Sequence, residues 1–329
     1  MTVALFTLGG TISMAGRAAG TGGVVARLTG RDLTAAVPGL ADLGEELEVH
    51  DVEAMPSSSL TFAQVLDVVD AASRAVADGA RGVVVSQGTD SLEETAYLAD
   101  LVWPHPEPFV VTGAMRNPTL AGADGPANLL AAARVAASDA ARDLGVLVVL
   151  DDEIHAARWV RKQHSTSTST FGSRDVGPLG QVIEERVRVL VRPDRPAPLP
   201  WPDAGRLAAR RVALHVVSLD DDGAQLDGLA DTHDGLVVAG FGVGHVPATM
   251  APRLGALAER IPVVLTSRTG GGSVLSHTYG AVGSEVDLLG RGLVNGGLLD
   301  PYKARVLLRL LVAAGADRVA VAEAFAARA

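Results

Sequence analysis

The chain has 329 residues, of which 48% are hydrophobic and 4% aromatic, with a formal net charge of -10 and no cysteine. The length suggests two domains, the acidic balance argues against a phosphate-backbone partner, and the lack of cysteine excludes disulfides and thiolate metal sites. The opening MTVALFTLGG carries no basic residues ahead of its apolar run, and no apolar run reaches membrane-spanning length, so a cytoplasmic protein with no membrane or nucleic-acid partner is expected.

Val3 to Leu8 reads as a buried strand leaving into a turn at Gly9-Gly10. Gly16, Gly20, Gly22 and Gly23 follow in a stretch of small residues, expected as a mobile loop, with a lid over roughly 16–25. Phe62, Val65, Leu66, Val69, Ala72 and Val76 recur at helical spacing, Gly79 closes that helix, and a serine of Ser57-Ser58-Ser59 is the expected cap before Phe62. Gly82 to Val85 is a second strand, Ser91 to Leu101 a helix, Phe109 to Thr112 a third strand, Pro126 to Ala141 a helix with proline in its first turn, and Gly145 to Leu150 a fourth strand. Strands alternating with helices predict a mostly parallel sheet covered on both faces. Pro193, Pro196, Pro198, Pro200 and Pro202 make 192–210 a stiff linker between an N-terminal domain, 1–191, and a C-terminal one, 211–329. Beyond it, Val212 to Val217, Leu236 to Gly240 and Ile261 to Leu265 read as strands, the last with Pro262 at its start, and Lys303 to Ala314 and Arg318 to Ala327 as helices.

In open α/β sheets ligands bind where strands end and helices begin. Three polar clusters are candidates: Gly9-Gly10-Thr11, Gly88-Thr89-Asp90-Ser91 and Arg161-Lys162-Gln163. A threonine hydroxyl is a weak nucleophile and needs a base. A lysine amine is a base only when neutral, whereas arginine does not deprotonate in proteins. Of 28 basic residues only Lys162 and Lys303 are lysines, so Lys162 is the candidate titrating amine, and Asp90 either orients it or binds a substrate ammonium group. Blander readings stand beside these: a turn at Gly9-Gly10, Thr89-Asp90 as a cap for the helix near Ser91, and Lys162 as a solvated surface amine. The eight histidines show no HExxH or comparable spacing, and no metal or other cofactor is expected.

Taken together, several segments resemble the bacterial-type L-asparaginase/glutaminase family over essentially the whole chain. Thr7-Leu8-Gly9-Gly10-Thr11-Ile12-Ser13 is similar to its first signature and Gly88-Thr89-Asp90-Ser91-Leu92-Glu93-Glu94-Thr95-Ala96 to its second. Thr112-Gly113-Ala114-Met115-Arg116, Ala157-Arg158-Trp159-Val160-Arg161-Lys162 and Leu299-Asp300-Pro301-Tyr302-Lys303-Ala304-Arg305 resemble further family segments. The resemblance implies two α/β domains, the larger N-terminal one flavodoxin-like with a mostly parallel sheet and the smaller C-terminal one also α/β. It implies catalytic Thr11, Thr89, Asp90 and Lys162, and a substrate site at Ser57 or Ser58, Gly88, Asp90 and Ala114. The implied reaction is hydrolysis of L-asparagine to L-aspartate and ammonia by double displacement through a threonine nucleophile. An oxyanion hole from N–H groups near Thr89 and Ala114 is expected to contribute about 2.7–4 kcal/mol per donor. A homo-oligomer follows too, a dimer or a tetramer of two dimers, with a neighbouring C-terminal domain completing each site.

The chain departs from the family in places. Ala18 to Leu28 lacks the tyrosine that many relatives place after the first threonine; Tyr279 or His277, reached across an interface, is the expected substitute in proton transfer. The family's glutamine beside the binding serine is replaced by Ser58, and its asparagine in the C-terminal glycine loop is replaced within Gly242-Val243-Gly244-His245, where His245 is either a substrate contact or a loop cap. Alternatives are a glutaminase-asparaginase of broad specificity, accepting L-glutamine, and an amino-acid binding protein without catalysis. An amidotransferase subunit is disfavoured because Thr11 comes so early.

Overall fold

The computed structural model describes residues 2–9, 14–17, 24–26, 34, 37–52 and 55–328, the segments 14–17 and 24–26 for their backbone alone. The chain divides into two compact units, Met1–Leu199 and Pro200–Ala329.

Unit 1 is built on an eight-stranded sheet. Its strands are β1 (Thr2–Thr7), β4 (Glu46–Asp51), β5 (Ala80–Ser86), β6 (Phe109–Thr112), β7 (Val146–Leu150), β8 (Glu153–Ala156), β11 (Gly180–Ile183) and β12 (Arg186–Val189), in the order β12-β11-β8-β7-β6-β5-β1-β4. From β4 to β7 every pairing is parallel, and from β7 to β12 every pairing is antiparallel. The parallel part follows the doubly wound strand order 2-1-3-4-5 of flavodoxin-like folds, whose order reverses between its first and third strands, here β1 and β5. Two short ribbons lie outside this sheet: β2 (Met14–Arg17) with β3 (Val24–Ala26), and β9 (Arg161–Lys162) with β10 (Phe171–Gly172). The first pairs the two ends of the segment expected as a mobile loop, and residues 18–23 between them lie outside the described residues.

Both faces of the central strands are covered, which is why β1, β5, β6 and β7 are largely apolar, while the outer β4 and β12 alternate with charged residues. Val3, Leu5, Val84, Val110, Leu147 and Val149 pack in one cluster with Leu129, Ala132, Val135 and Ala136 of α3 (Gly125–Ala136). The intervening Ala4, Val83, Val85, Val111 and Val148 point to the opposite face and are equally buried. There α1 (Phe62–Ala77) lies on β1 and β5, and α2 (Leu92–Val102) on β6 and β7. Gly82 sets the distance of α3 from β5, since a Cβ there would lie 2.1 Å from the Ala136 carbonyl oxygen.

Helix ends differ from the sequence reading for local reasons. Thr61, not a serine of 57–59, caps α1: its hydroxyl accepts from the Gln64 N–H while the Gln64 side chain accepts from the Thr61 N–H, a capping box that the earlier serines cannot form. The α3 helix stops at Ala136 rather than Ala141, because Ser138 caps a separate turn, Asp139–Ala141. The proline-rich segment runs extended along unit 1. There Leu199 N–H donates to the Leu101 carbonyl (2.7 Å), and the Arg195 guanidinium donates to the carbonyls of Trp103 and His105.

Unit 2 holds β13 (Val212–Val216), β14 (Gly235–Gly240), β15 (Val263–Ser267) and β16 (Val294–Asn295), all parallel in that order. Five helices accompany them: α4 (Ala204–Ala209), α5 (Ala251–Arg260), α6 (Glu285–Gly290), α7 (Pro301–Ala314) and α8 (Arg318–Ala326). The α4 helix falls within the segment expected as linker and packs on α7. Ile261 caps α5, so β15 starts at Val263 and Pro262 stands just before it, its carbonyl accepting from Leu236 N–H (3.0 Å).

Asn128 of α3 holds the turns that leave the sheet. Its side-chain amide donates to the Gly113 carbonyl (3.0 Å) beyond β6 and accepts from the Asp151 N–H (3.0 Å) beyond β7. Orphaning a buried polar group costs about 1–3 kcal/mol, so Asn128→Ala is expected to lower the urea midpoint with no change of slope. An unchanged midpoint would show that these turns hold without it.

Candidate active site

The reversal of strand order places the carboxyl ends of β1 and β5 side by side, where Leu8 N–H donates to the Ser86 carbonyl (2.8 Å). The turn after β5, Gln87-Gly88-Thr89-Asp90, runs directly against Ser57. A Cβ on Gly88 would lie 2.6 Å from Ser57 Oγ, so the close passage requires glycine. Ser57 is buried, its Oγ accepting from Asp90 N–H (3.1 Å) and its carbonyl from Ser91 Oγ (2.7 Å), while Ser58 beside it is exposed. Neither Thr89 nor Asp90 caps α2; Ser91 occupies the cap position, with no side-chain capping bond.

Thr89 and Asp90 turn instead toward the β9–β10 ribbon. Lys162 Nζ donates to Thr89 Oγ1 (2.9 Å) and to Asp90 Oδ1 (3.2 Å). The Lys162 side chain is 19% exposed, Thr89 is buried, and the Asp90 side chain is 66% exposed. Lys162 is therefore not a solvated surface amine. Its backbone N–H also donates to Glu93 Oε2 at 2.6 Å, and Glu93 is buried in the first turn of α2. Sequence reading passed over Glu93 as one letter of a motif; an acidic residue in a helix's first turn, where the dipole favours it, was the available signal. A hydroxyl within hydrogen-bond reach of an amine is the geometry of a nucleophile with its base, provided that the amine is neutral at the step concerned.

Ala114 is fully buried just beyond β6. Asp124 braces the residues after it, accepting from the N–H groups of Met115 (2.9 Å) and Arg116 (2.8 Å). Thr11 lies outside the described residues.

The remaining candidates belong to unit 2. His245 Nε2 lies 3.1 Å from Glu285 Oε2, and the Tyr279 ring meets the His245 ring edge-on with centroids 5.0 Å apart. Glu285, which the sequence reading did not single out, is fully buried, and its Oε1 accepts from the N–H groups of Thr278 (3.0 Å) and Tyr279 (2.7 Å). Burial pushes its carboxyl up, but those N–H groups, its own N–H and the His245 ring outweigh it and hold the carboxyl below its usual value. His277 is exposed on the same loop. No helix among the described residues is long and apolar enough to cross a membrane.

Comparison with known proteins agrees with this architecture. Residues 2–195 match the family model for the N-terminal domain of asparaginase, and residues 211–325 that for the glutaminase/asparaginase C-terminal domain. A protein described as "Probable L-asparaginase" from Deinococcus radiodurans is 34% identical over 316 residues, covering 93% of this chain and 95% of its own. An L-asparaginase from Bacillus licheniformis is 33% identical, covering 94% of this chain and 95% of its own. The crystal structure of a "Probable Cytoplasmic L-asparaginase" from Campylobacter jejuni superposes with a TM-score of 0.86 at 30% identity over 99% of both chains. On both halves of its length, the chain belongs to the asparaginase family.

Proposed function

We propose that this protein hydrolyses the side-chain amide of L-asparagine, giving L-aspartate and ammonia, with Thr11 as nucleophile and Thr89, Lys162 and Asp90 as a second triad. The observation that carries the reading is the 2.9 Å hydrogen bond from Lys162 Nζ to Thr89 Oγ1 at the crevice where strand order reverses. Thr11 Oγ1 attacks the amide carbon, its proton passes to the leaving nitrogen, and ammonia departs from an acyl-threonine ester. Water then adds to the ester carbon, its proton reaching the neutral Lys162 amine through Thr89. The Thr11 oxygen leaves with a proton returned from that amine, and aspartate is released.

In this scheme Ser57, Gly88, Asp90 and Ala114 line the substrate. Ser57 and Asp90 are already joined through the Asp90 N–H, which supports one site for the substrate's carboxylate and ammonium groups. Exposed Ser58, shorter than the family's glutamine, supports a more permissive pocket and keeps L-glutamine as an alternative substrate. We retain a homo-oligomer of dimer or tetramer form, a cytoplasmic location in line with the Campylobacter jejuni relative's description, and the division 1–191, 192–210 and 211–329. Tyr279 and His277 remain the proposed proton-transfer partners across a subunit interface, with His245 as a contact or loop cap; the His245–Tyr279 ring contact supports Tyr279 over His277.

Ammonia release from L-asparagine and L-glutamine, measured side by side on purified protein, is expected to favour asparagine; equal rates would assign a glutaminase-asparaginase, and no release from either an amino-acid binder. Loss of a general acid or base costs about 10²- to 10⁴-fold, so Lys162→Met is expected to lower kcat by that factor with KM little changed; retention of full kcat would remove Lys162 from the mechanism. Tyr279→Phe should lose about the same 10²- to 10⁴-fold if its hydroxyl moves the proton, with His277→Ala near wild type. The reverse pattern would transfer the role to His277, and near-wild-type turnover in both would end the proposal.

A further inference from the structure

Lys162 sits on a strand only two residues long, and an isolated hairpin of this kind is marginal in water. Its loop folds on itself: Gln163 N–H donates to the Thr170 carbonyl (2.8 Å), His164 N–H to Thr170 Oγ1 (2.8 Å), and the N–H groups of Thr166 and Ser167 both to His164 Nδ1 (3.0 Å each). Those bonds shape the hairpin but do not fix it to the sheet. Glu93 fixes the Lys162 strand on one side. On the other, Ser173 follows β10 directly, and its Oγ lies 3.0 Å from His155 Nδ1. Both residues are buried, at 5% and 1% exposure. His155 belongs to β8, in register with Val148 of β7, and its Nε2 lies 3.2 Å from Glu153 Oε2.

Glu153, His155 and Ser173 have the make-up of a nucleophile relay, but Ser173 is too buried to meet a substrate. The row sits instead at the root of the hairpin. Phe171 is the register partner of Lys162, and Ser173 is two residues beyond it. From these contacts we infer that His155 is a positioning residue: through Ser173 it pins the end of β10 to β8, and so holds the Lys162 amine within reach of Thr89 Oγ1. The inference rests on the reading of Lys162 as a base. Nothing in the proposed chemistry passes through His155 itself, so its effect on turnover is geometric. A misplacement of about 1 Å at a reacting group can cost about 10²-fold in rate, so a loosened hairpin should be costly even with every catalytic residue intact.

The two lysines give a direct readout of this geometry. Lys303 is fully buried, so acylation by an amine-reactive reagent, followed by peptide mapping, reports on Lys162 separately from the chain's amino terminus. Ser173→Ala removes a single oxygen. It is expected to raise the acylation rate of Lys162 severalfold and to lower kcat for L-asparagine about tenfold at nearly constant KM, a partial loss within the geometric range above. His155→Asn keeps an amide group near Nδ1 and should leave both readouts near wild type, whereas His155→Gln places its amide near Nε2 and should behave like Ser173→Ala. An unchanged acylation rate in Ser173→Ala and His155→Gln would overturn the inference, whatever kcat does; a raised rate with unchanged kcat would overturn it equally. Lys162→Met separates the two readings: full activity there defeats the assignment of the base, while the acylation rates still judge the anchoring.

Discussion

In the proposed reading, the Lys162 side-chain amine, which donates to the Thr89 hydroxyl and the Asp90 carboxylate, is the contact on which the chemistry depends. Its value is not stability. Asp90 is 66% exposed, and a partly solvated ion pair of this kind contributes about 0–1 kcal/mol. Its value is direction: it brings an amine from the β9–β10 ribbon to a hydroxyl on the turn between β5 and α2. Arginine would bridge the same groups but could not surrender a proton, which gives a reason for a lysine here in a chain that otherwise uses arginine. The exposure of Asp90 also reconciles its two expected roles, since a carboxylate that orients the amine through Oδ1 still faces solvent, from which a substrate ammonium group would arrive.

The fold supplies the stability that the site does not. Apolar strands buried on both faces anchor the ends of β1, β5 and β6, and the turns beyond them are then fixed one hydrogen bond at a time. Ser57 holds the Asp90 turn, Asn128 the Gly113 turn and Asp124 the segment after Ala114. Each is a short polar side chain, buried or near-buried, aimed at backbone. This division lets the exposed parts of the site be polar without loosening the frame beneath them.

Much of this was legible in the sequence, and the reasons for the misses are physical. Buried parallel strands announce themselves as apolar runs, so β1, β5, β6, β7, β13 and β14 were read nearly to the residue. The glycines around Thr89 marked a tight passage, and Gly88 against Ser57 is one. Two-residue strands have no period to read, so β9 and β10 are not legible in the sequence, nor are the antiparallel β8, β11 and β12, whose hairpin turns at Asp151-Asp152 and Glu184-Glu185 carry no proline or Asn-Gly signal. Ser57, Ser58 and Ser59 are as good cap formers as Thr61, and only the glutamine three residues after Thr61 distinguishes it as the cap. Among the candidate residues, spacing brought Thr89 and Asp90 together but could say nothing of Lys162, 72 positions beyond Asp90; the family resemblance linked them, and the hydrogen bonds describe how they meet. Thr11 lies outside the described residues, so its part in the reading rests on its motif.

The proposed base, Lys162, stands on a strand of two residues. Ordering each residue of the eight-residue loop costs about 1–2 kcal/mol, so side chains from outside the hairpin add to the loop's own hydrogen bonds in holding the register of Lys162. Glu93 and Ser173 approach it from opposite sides, one from a helix and one through a sheet histidine, and both act on the strands' backbone neighbourhood rather than on the amine. That arrangement leaves the amine's own hydrogen bonds to Thr89 and Asp90 available for exchange during turnover. A further acceptor placed directly on Nζ would instead favour the protonated amine, whereas the proposed base must be neutral.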